Sequence, residues 1–236
     1  MKTKNIYYAL IPARSGSKSI KMKNLQKING RSLLDIAIDN LKSINYVNEI
    51  YVSSDSKKIL KIAEKKNVKT ILRPKKISGD TSTANQVIKH FLSKFKFFNK
   101  NSYLIYLQVT SPLKNHKHIS KAIQKIEKLK ADSLISCYEK DSEKVYKTFS
   151  INKKNRIYPL FGKKIATSNR QKLPRSLMPN GAFYITKIKN RTNPYPINFK
   201  DCCPYLMNKN EVIDINSKKD LNLARKTFKN KSFINA

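Results

Sequence analysis

The densest concentration of chemically suggestive residues in this 236-residue chain is a loop near its start, IPARSGSKSIKMKNL, residues 11–25. Arg14, Lys18, Lys21 and Lys23 are interspersed there with Ser15, Gly16, Ser17 and Ser19. Small residues let backbone N–H groups approach an anion closely, and fixed cations neutralise it, as a bound triphosphate requires. The loop is not of the Walker A type, since GxxxxGK followed by Ser or Thr is absent, and no GxGxxG occurs among the five glycines. For these residues taken alone, a solvated basic loop in a basic chain is an equally good reading. The histidines (His90, His116, His118) read as surface or capping residues. Cys137, Cys202 and Cys203 are odd in number and lack CxxC spacing, so neither a disulfide framework nor a zinc site is expected.

The flanking pattern supplies a scaffold for such a loop. Residues 6–11 read as a buried strand, and Leu33, Leu34, Ala37, Leu41 and Ile44 fall on one helical face. A strand over 49–53, helices over 57–66 and 83–97, a strand over 103–107, a helix through Ile119–Leu129 and a strand over 133–137 follow. Strands alternating with helices imply βαβ units and a Rossmann-like α/β fold, a mainly parallel sheet flanked by helices. Ligands then sit beyond the carboxyl ends of the strands, in the loops after Ile11, Ser53 and Leu107. The alternation fails over 140–179, which reads as an excursion, either a lid or an oligomer arm, from a single domain spanning 1–236. A strand over 212–215 and a helix over 218–229 close the chain.

Fifty Lys and Arg against 15 Asp and Glu give a net charge of +35, which raises the question of nucleic acid. Only 8 of the 50 are Arg, and 42 Lys, 24 Asn and 27 Ile make up about two fifths of the chain. All three residue types have A/T-rich codons, and the lysines are spread throughout, so a drifted surface is favoured over a dedicated polyanion patch. No specific nucleic-acid partner is expected, although phosphorylated substrates will be attracted. No apolar run reaches the ~20 residues of a membrane span, and the start lacks an h-region, so no membrane partner and a cytoplasmic location are expected.

The 11–25 loop resembles the signature of the acylneuraminate cytidylyltransferases, the CMP-sialic acid synthetase family, which runs A-R-x-x-S-K and then K-N. Arg14, Ser17, Lys18, Lys23 and Asn24 match it, while Ser19 stands where Gly is often found. LRPKKISGDTSTA (72–84) is similar to a second family segment through Arg73, Asp80 and Thr81. LQVTSPLK (107–114) resembles a third through Gln108, Thr110, Ser111 and Pro112, with Val109 and Lys114 departing. RQKLPRSLMPNGAFYI (170–185) keeps Arg170, Gln171, Pro174, Asn180, Gly181, Ala182 and Tyr184, with Leu177 replacing an aromatic. EVIDINSKKDL (211–221) is the fifth, in the family's order.

The resemblance implies a nucleotide-diphospho-sugar transferase type of fold with a dimerisation arm. It implies transfer of CMP from CTP to the anomeric hydroxyl of a nine-carbon 2-keto sugar acid, with release of pyrophosphate. Arg14, Lys18 and Lys23 would clamp and neutralise the triphosphate, with Ser15, Gly16, Ser17, Asn24, Arg73, Asp80 and Thr81 completing the nucleotide side. For Arg73 the plainer reading is a surface arginine at the pocket rim. Gln108, Thr110 and Ser111 would meet sugar hydroxyls, or cap the helix near His116. Arg170 and Gln171 would meet the acceptor carboxylate, and Lys147 would reach a neighbouring site from the arm of a homodimer. Mg²⁺, with Mn²⁺ as substitute, would be held where the family has two aspartates; here these are Asp214 and Asn216, so binding should be weaker or lean more on CTP. The plainer reading of Asp214 is a helix cap. Asp35 and Asp39 should be solvated. The alternative function is a polyanion-binding protein on a degenerate transferase fold.

Overall fold

In the first strand, β1 (Ile6–Pro12), five consecutive residues, Tyr7–Ile11, are buried. Such a run has no wet face, so it demands cover on both sides, as parallel strands do. The computed structural model describes residues 5–231 apart from 96, 97, 100, 190–196 and 198. After β1 come the two-residue strands β2 (Lys27–Ile28) and β3 (Arg31–Ser32), then α1 (Leu33–Lys42), β4 (Val47–Ser54), α2 (Lys57–Glu64) and β5 (Lys69–Leu72). Next are α3 (Ala84–Ser93), β6 (Ser102–Leu107), α4 (His116–Leu129) and β7 (Ser133–Lys140). The excursion carries α5 (Ser142–Tyr146), β8 (Phe149–Ile151), β9 (Ile157–Pro159) and α6 (Lys163–Ala166). The chain returns through β10 (Ser176–Lys187), β11 (Cys202–Leu206) and α7 (Lys218–Lys231).

Seven strands form one sheet in the order β11-β7-β10-β6-β1-β4-β5. Every pairing is parallel except those of β10, which runs antiparallel to both β6 and β7. Alternation along the strands sorts the core into two layers. Tyr7, Ala9, Ile11, Tyr103, Ile105 and Leu107 face a cluster with residues of α1, α2, α4 and α7. Tyr8, Leu10, Tyr51, Leu104 and Tyr106 face the other way, onto Val87, Ile88, Phe91 and Leu92 of α3. Each fully buried Leu, Ile or Phe in these layers contributes about 1.5–3 kcal/mol. The helices start where capping boxes start them: Ser32 with Asp35, Thr83 with Gln86 and Asn115 with His118.

The mainly parallel α/β sheet expected from the alternation is present, and several local expectations are corrected. Residues 212–215 form no strand. Ile215 is buried and donates its N–H to Thr110 O at 2.8 Å, so the segment crosses the ends of the strands instead of joining the sheet. Its apolar run reads like a strand because burial, not pairing, selects those side chains. The edge place next to β7 is taken by β11, which the sequence pattern did not mark. The excursion ends at 175, since β10 begins at Ser176. The helix expected over 83–97 is observed as Ala84–Ser93; Phe97 lies outside the described residues. Asp39 is ion-paired with Arg31 (2.7 Å) and Lys66 (3.2 Å), and Asp35 closes a cap, so neither is simply solvated.

Candidate active site

The chain runs β1, β4, β5 in one direction along the sheet and then crosses to β6 on the other side of β1. The crevice at such a reversal opens between the loops after adjacent parallel strands. Pro12 of β1 pairs with Ser53 of β4, and Ser54 with Leu72 of β5, so these loops leave the sheet at one level. Between the loops after β1, β5 and β6 lies a cavity of about 280 Å³ whose lining includes Arg14, Lys23, Arg73, Asp80, Gln108 and Thr110.

The first loop is held from below. Ala13 donates to Ser53 O at 2.9 Å. Ser15 donates its N–H to Asp55 Oδ1 (2.8 Å) and its hydroxyl to Asp55 Oδ2 (2.6 Å). These bonds hold the Asp55 carboxyl below its usual range despite the opposing effect of burial, which is the largest single influence. Ser15 is thus committed to the protein, and Asp55 is a support of the first loop that the motifs do not mark. Its signal was its place, directly after β4, in one of the loops where ligands are expected. Asn24 is buried and donates to Arg14 O at 2.8 Å, fixing the backbone that carries the Arg14 fork. Gly16 and Ser17 line the cavity.

Lys23 donates to Ile215 O at 2.9 Å, which ties the first loop to the 212–216 crossing segment. Burial lowers its pKa, Asp214 raises it and Arg14 lowers it. Arg14 Nη1 and Lys18 Nζ both meet Asp80, at 2.7 and 3.1 Å. Thr81 is exposed and lies outside the cavity lining. Arg73 is 4% exposed, and its Nε and Nη2 have no partner among the described residues. The surface-arginine reading is therefore set aside. Burial lowers the pKa of this guanidinium, while Tyr106 and Asp55 raise it. A buried cation with unsatisfied N–H groups beside a cavity is costly unless an anion or acceptor arrives to meet it.

On the β6 side, Gln108 and Thr110 line the cavity, and Ser111 is buried with an unpartnered hydroxyl among the described residues. The α4 cap is Asn115, so these three residues are not the cap. Lys114, noted in the sequence only as a departure, is 2% exposed and donates to the main-chain carbonyls of Gln108 and of Ser111, the latter at 2.7 Å. Burial pushes its pKa down to about 7, with Asp214 pulling upward. Beside Gln108 runs β10. Asn180 Oδ1 accepts from Ser136 Oγ (2.7 Å) and Ala182 N (3.0 Å), stabilising an irregularity in register between Pro179 and Tyr184. Within it Gly181 has φ +67°, and a Cβ there would lie 3.5 Å from Gln108 Oε1 and 3.9 Å from Asp214 Oδ2.

Asp214 does not cap a helix; Ser217 and Asp220 form the reciprocal bonds at the start of α7. Asp214 Oδ2 accepts from Asn216 Nδ2 at 3.0 Å, and Oδ1 is buried without a partner among the described residues. One free carboxylate oxygen suits a Mg²⁺ ion that takes its remaining ligands from phosphate and water. Asn216 orients Asp214 through its amide nitrogen. No group of three or more His, Cys, Asp or Glu able to hold a metal occurs among the described residues. Arg170 and Gln171 are exposed on the excursion, and Lys147 pairs with Glu143 at 2.6 Å; none of the three lines the cavity. No helix of the described residues is long and apolar enough to cross a membrane.

Comparison with known proteins agrees with this geometry. The chain is 27% identical over 222 residues to a pseudaminic acid cytidylyltransferase of Campylobacter jejuni, covering 93% of this chain and 95% of that one. It is 28% identical to an N-acylneuraminate cytidylyltransferase of Escherichia coli over 232 residues, which are 95% of this chain but 52% of the relative. In structure it is similar to a CMP:2-keto-3-deoxy-manno-octonic acid synthetase complexed with CTP, with a TM-score of 0.70 at 14% identity, covering 96% of this chain and 99% of the other. A 4-diphosphocytidyl-2C-methyl-D-erythritol synthase from Anaerococcus prevotii shares the fold at a TM-score of 0.64 and 16% identity, over 95% and 99% of the two chains. The cytidylyltransferase family model matches residues 8–186, a stretch that contains every residue lining the cavity, and the chain belongs to that family.

Proposed function

We propose that this enzyme transfers CMP from CTP to the anomeric hydroxyl of a nine-carbon 2-keto sugar acid of the neuraminic, legionaminic or pseudaminic type, releasing pyrophosphate. The observation that carries the reading is Arg73, a buried guanidinium with two unpartnered N–H-bearing nitrogens, in one cavity with Arg14 and Lys23. In this reading Arg14 and Lys18 grip the triphosphate, Lys23 neutralises charge nearer the reacting phosphorus, and Arg73 meets the nucleotide. Gln108, Thr110 and Ser111 face the acceptor from the β6 side. The displacement at phosphorus has little covalent chemistry for a protein to perform, so positioning and charge neutralisation supply most of the rate. Asp214 would hold Mg²⁺ through Oδ1. The ion would neutralise phosphate charge when bound.

The same proposal places the enzyme in the cytoplasm as a homodimer. The excursion exposes Phe149, Ile151, Ile157, Tyr158, Leu160 and Phe161, an apolar group of the kind that a second copy buries. Arg170, Gln171 and Lys147 stand on that arm, where they would serve the acceptor across the dimer. The test is pyrophosphate release from CTP and Mg²⁺ with neuraminic, legionaminic, pseudaminic and octulosonic acids offered separately. Release with one nine-carbon acid is expected. Release with octulosonic acid alone, or silence with all four from folded protein also tried with Mn²⁺, overturns the proposed acceptor class.

A further inference from the structure

Arg14 and Lys18 do not stand open. The Asp80 carboxylate lies between them, Oδ1 2.7 Å from Arg14 Nη1 and Oδ2 3.1 Å from Lys18 Nζ. Its two oxygens thus engage one fork and one ammonium at once, the pattern that two oxygens of a phosphate would adopt on the same cations. Arg14 and Asp80 both line the cavity, so the contact sits in the space a bound anion would enter. Asp80 is carried on a short turn, with Ser82 N donating to Gly79 O at 3.2 Å, between the 3-10 turn Lys75–Ile77 and α3. The Asp80 side chain is 41% exposed and that of Lys18 is 88% exposed, so solvent surrounds the contact and each part of it is weak.

We propose that Asp80 is a built-in counter-anion of the phosphate cradle: it holds Arg14 and Lys18 while no nucleotide is bound, is displaced as a nucleoside triphosphate enters, and returns as pyrophosphate leaves. The inference rests on the reading of Arg14 and Lys18 as triphosphate ligands. A single carboxylate in solvent cannot compete with the several charges of a triphosphate, so entry proceeds. Its return to the cations lowers the cost of vacating them, which favours product release. The competition also reduces the apparent affinity for any anion by the fraction of time that the cradle is free.

The test is calorimetric binding of inorganic pyrophosphate to the wild type, Asp80→Asn, Arg14→Ala and the double variant, with pyrophosphate inhibition of the transfer reaction alongside. Asp80→Asn is expected to bind pyrophosphate about three- to tenfold tighter and to be inhibited at correspondingly lower concentration. Glu64→Gln, which removes the same charge from an exposed position on α2, should show no such gain. Equal or weaker binding by Asp80→Asn, or an equal gain in Glu64→Gln, overturns the inference. If Arg14→Ala still weakens binding in that case, the cradle reading survives alone. If Arg14→Ala leaves binding unchanged in both backgrounds, the cradle reading falls and the inference falls with it.

Discussion

Lys114 offers a quantitative test of how the site is built. Its ammonium is buried under the loop that carries Gln108, Thr110 and Ser111, held by two main-chain carbonyls. Its pKa is about 7 in the fold, against about 10.4 for a free lysine. Between those values the unfolded chain holds a proton that the folded chain has released, so this residue makes stability rise with pH. One proton corresponds to about 1.36 kcal/mol per pH unit, so going from pH 7.5 to 9.5 adds at most about 2–3 kcal/mol. For a chain of this length that is a rise in Tm of roughly 5–10 °C. The thiols of Cys137, Cys202 and Cys203 have pKa values raised by desolvation and act in the opposite sense toward the top of that range. The quantity to read is therefore the difference between the wild type and Lys114→Met, which keeps the thiols and removes the ammonium. Calorimetric Tm at constant ionic strength across pH 7.5–9.5 should show the wild type gaining on the variant as pH rises. Parallel curves would refute the argument that burial under the loop makes the charged form of Lys114 costly.

Two further perturbations probe the support of the first loop and the bend of β10. Asp55→Asn removes the paired acceptor of Ser15 and should raise the KM for CTP about tenfold, the loss of a charge-assisted hydrogen bond, with little change in Tm; an unchanged KM would show that the first loop holds its shape without it. Gly181→Ala places a Cβ at φ +67° and should cost about 1–2 kcal/mol, seen as a Tm lowered by a few degrees; an unaltered Tm would mean that the bend at Asn180 relaxes freely.

The parallel half of the sheet is legible in the sequence because its strands are buried on both faces and print as unbroken apolar runs, Tyr7–Ile11 most clearly. β10 is harder to read. Its first half, Leu177 to Pro179, is exposed and its middle is bent by Asn180 and Gly181, so neither apolar continuity nor strict alternation survives. The 212–215 segment errs the other way, apolar enough for a strand but spent on crossing strand ends. In the site, the cations and the loops that carry them are apparent from composition and spacing. What the pattern could not supply is which group answers which: Ser15 is claimed by Asp55, Arg14 and Lys18 by Asp80, and Asp214 by Asn216. Those pairings join residues 40 or more positions apart, or turn on which way a short side chain faces, and no linear motif records either.

The lone antiparallel strand also dictates the order in which the molecule can be completed. β6 and β7 are neighbours in the chain but not in the sheet, because β10 must slide between them after the excursion has been made. Until residue 187 is available, both carry an unpaired edge, and that of β6 is largely apolar. The parallel strands β5, β4, β1 and β6 can register with one another well before that point. The β10, β7 and β11 side of the sheet is therefore the last to form as the chain emerges from synthesis, and for the interval in between the half-built sheet is open to sticking edge to edge with its neighbours.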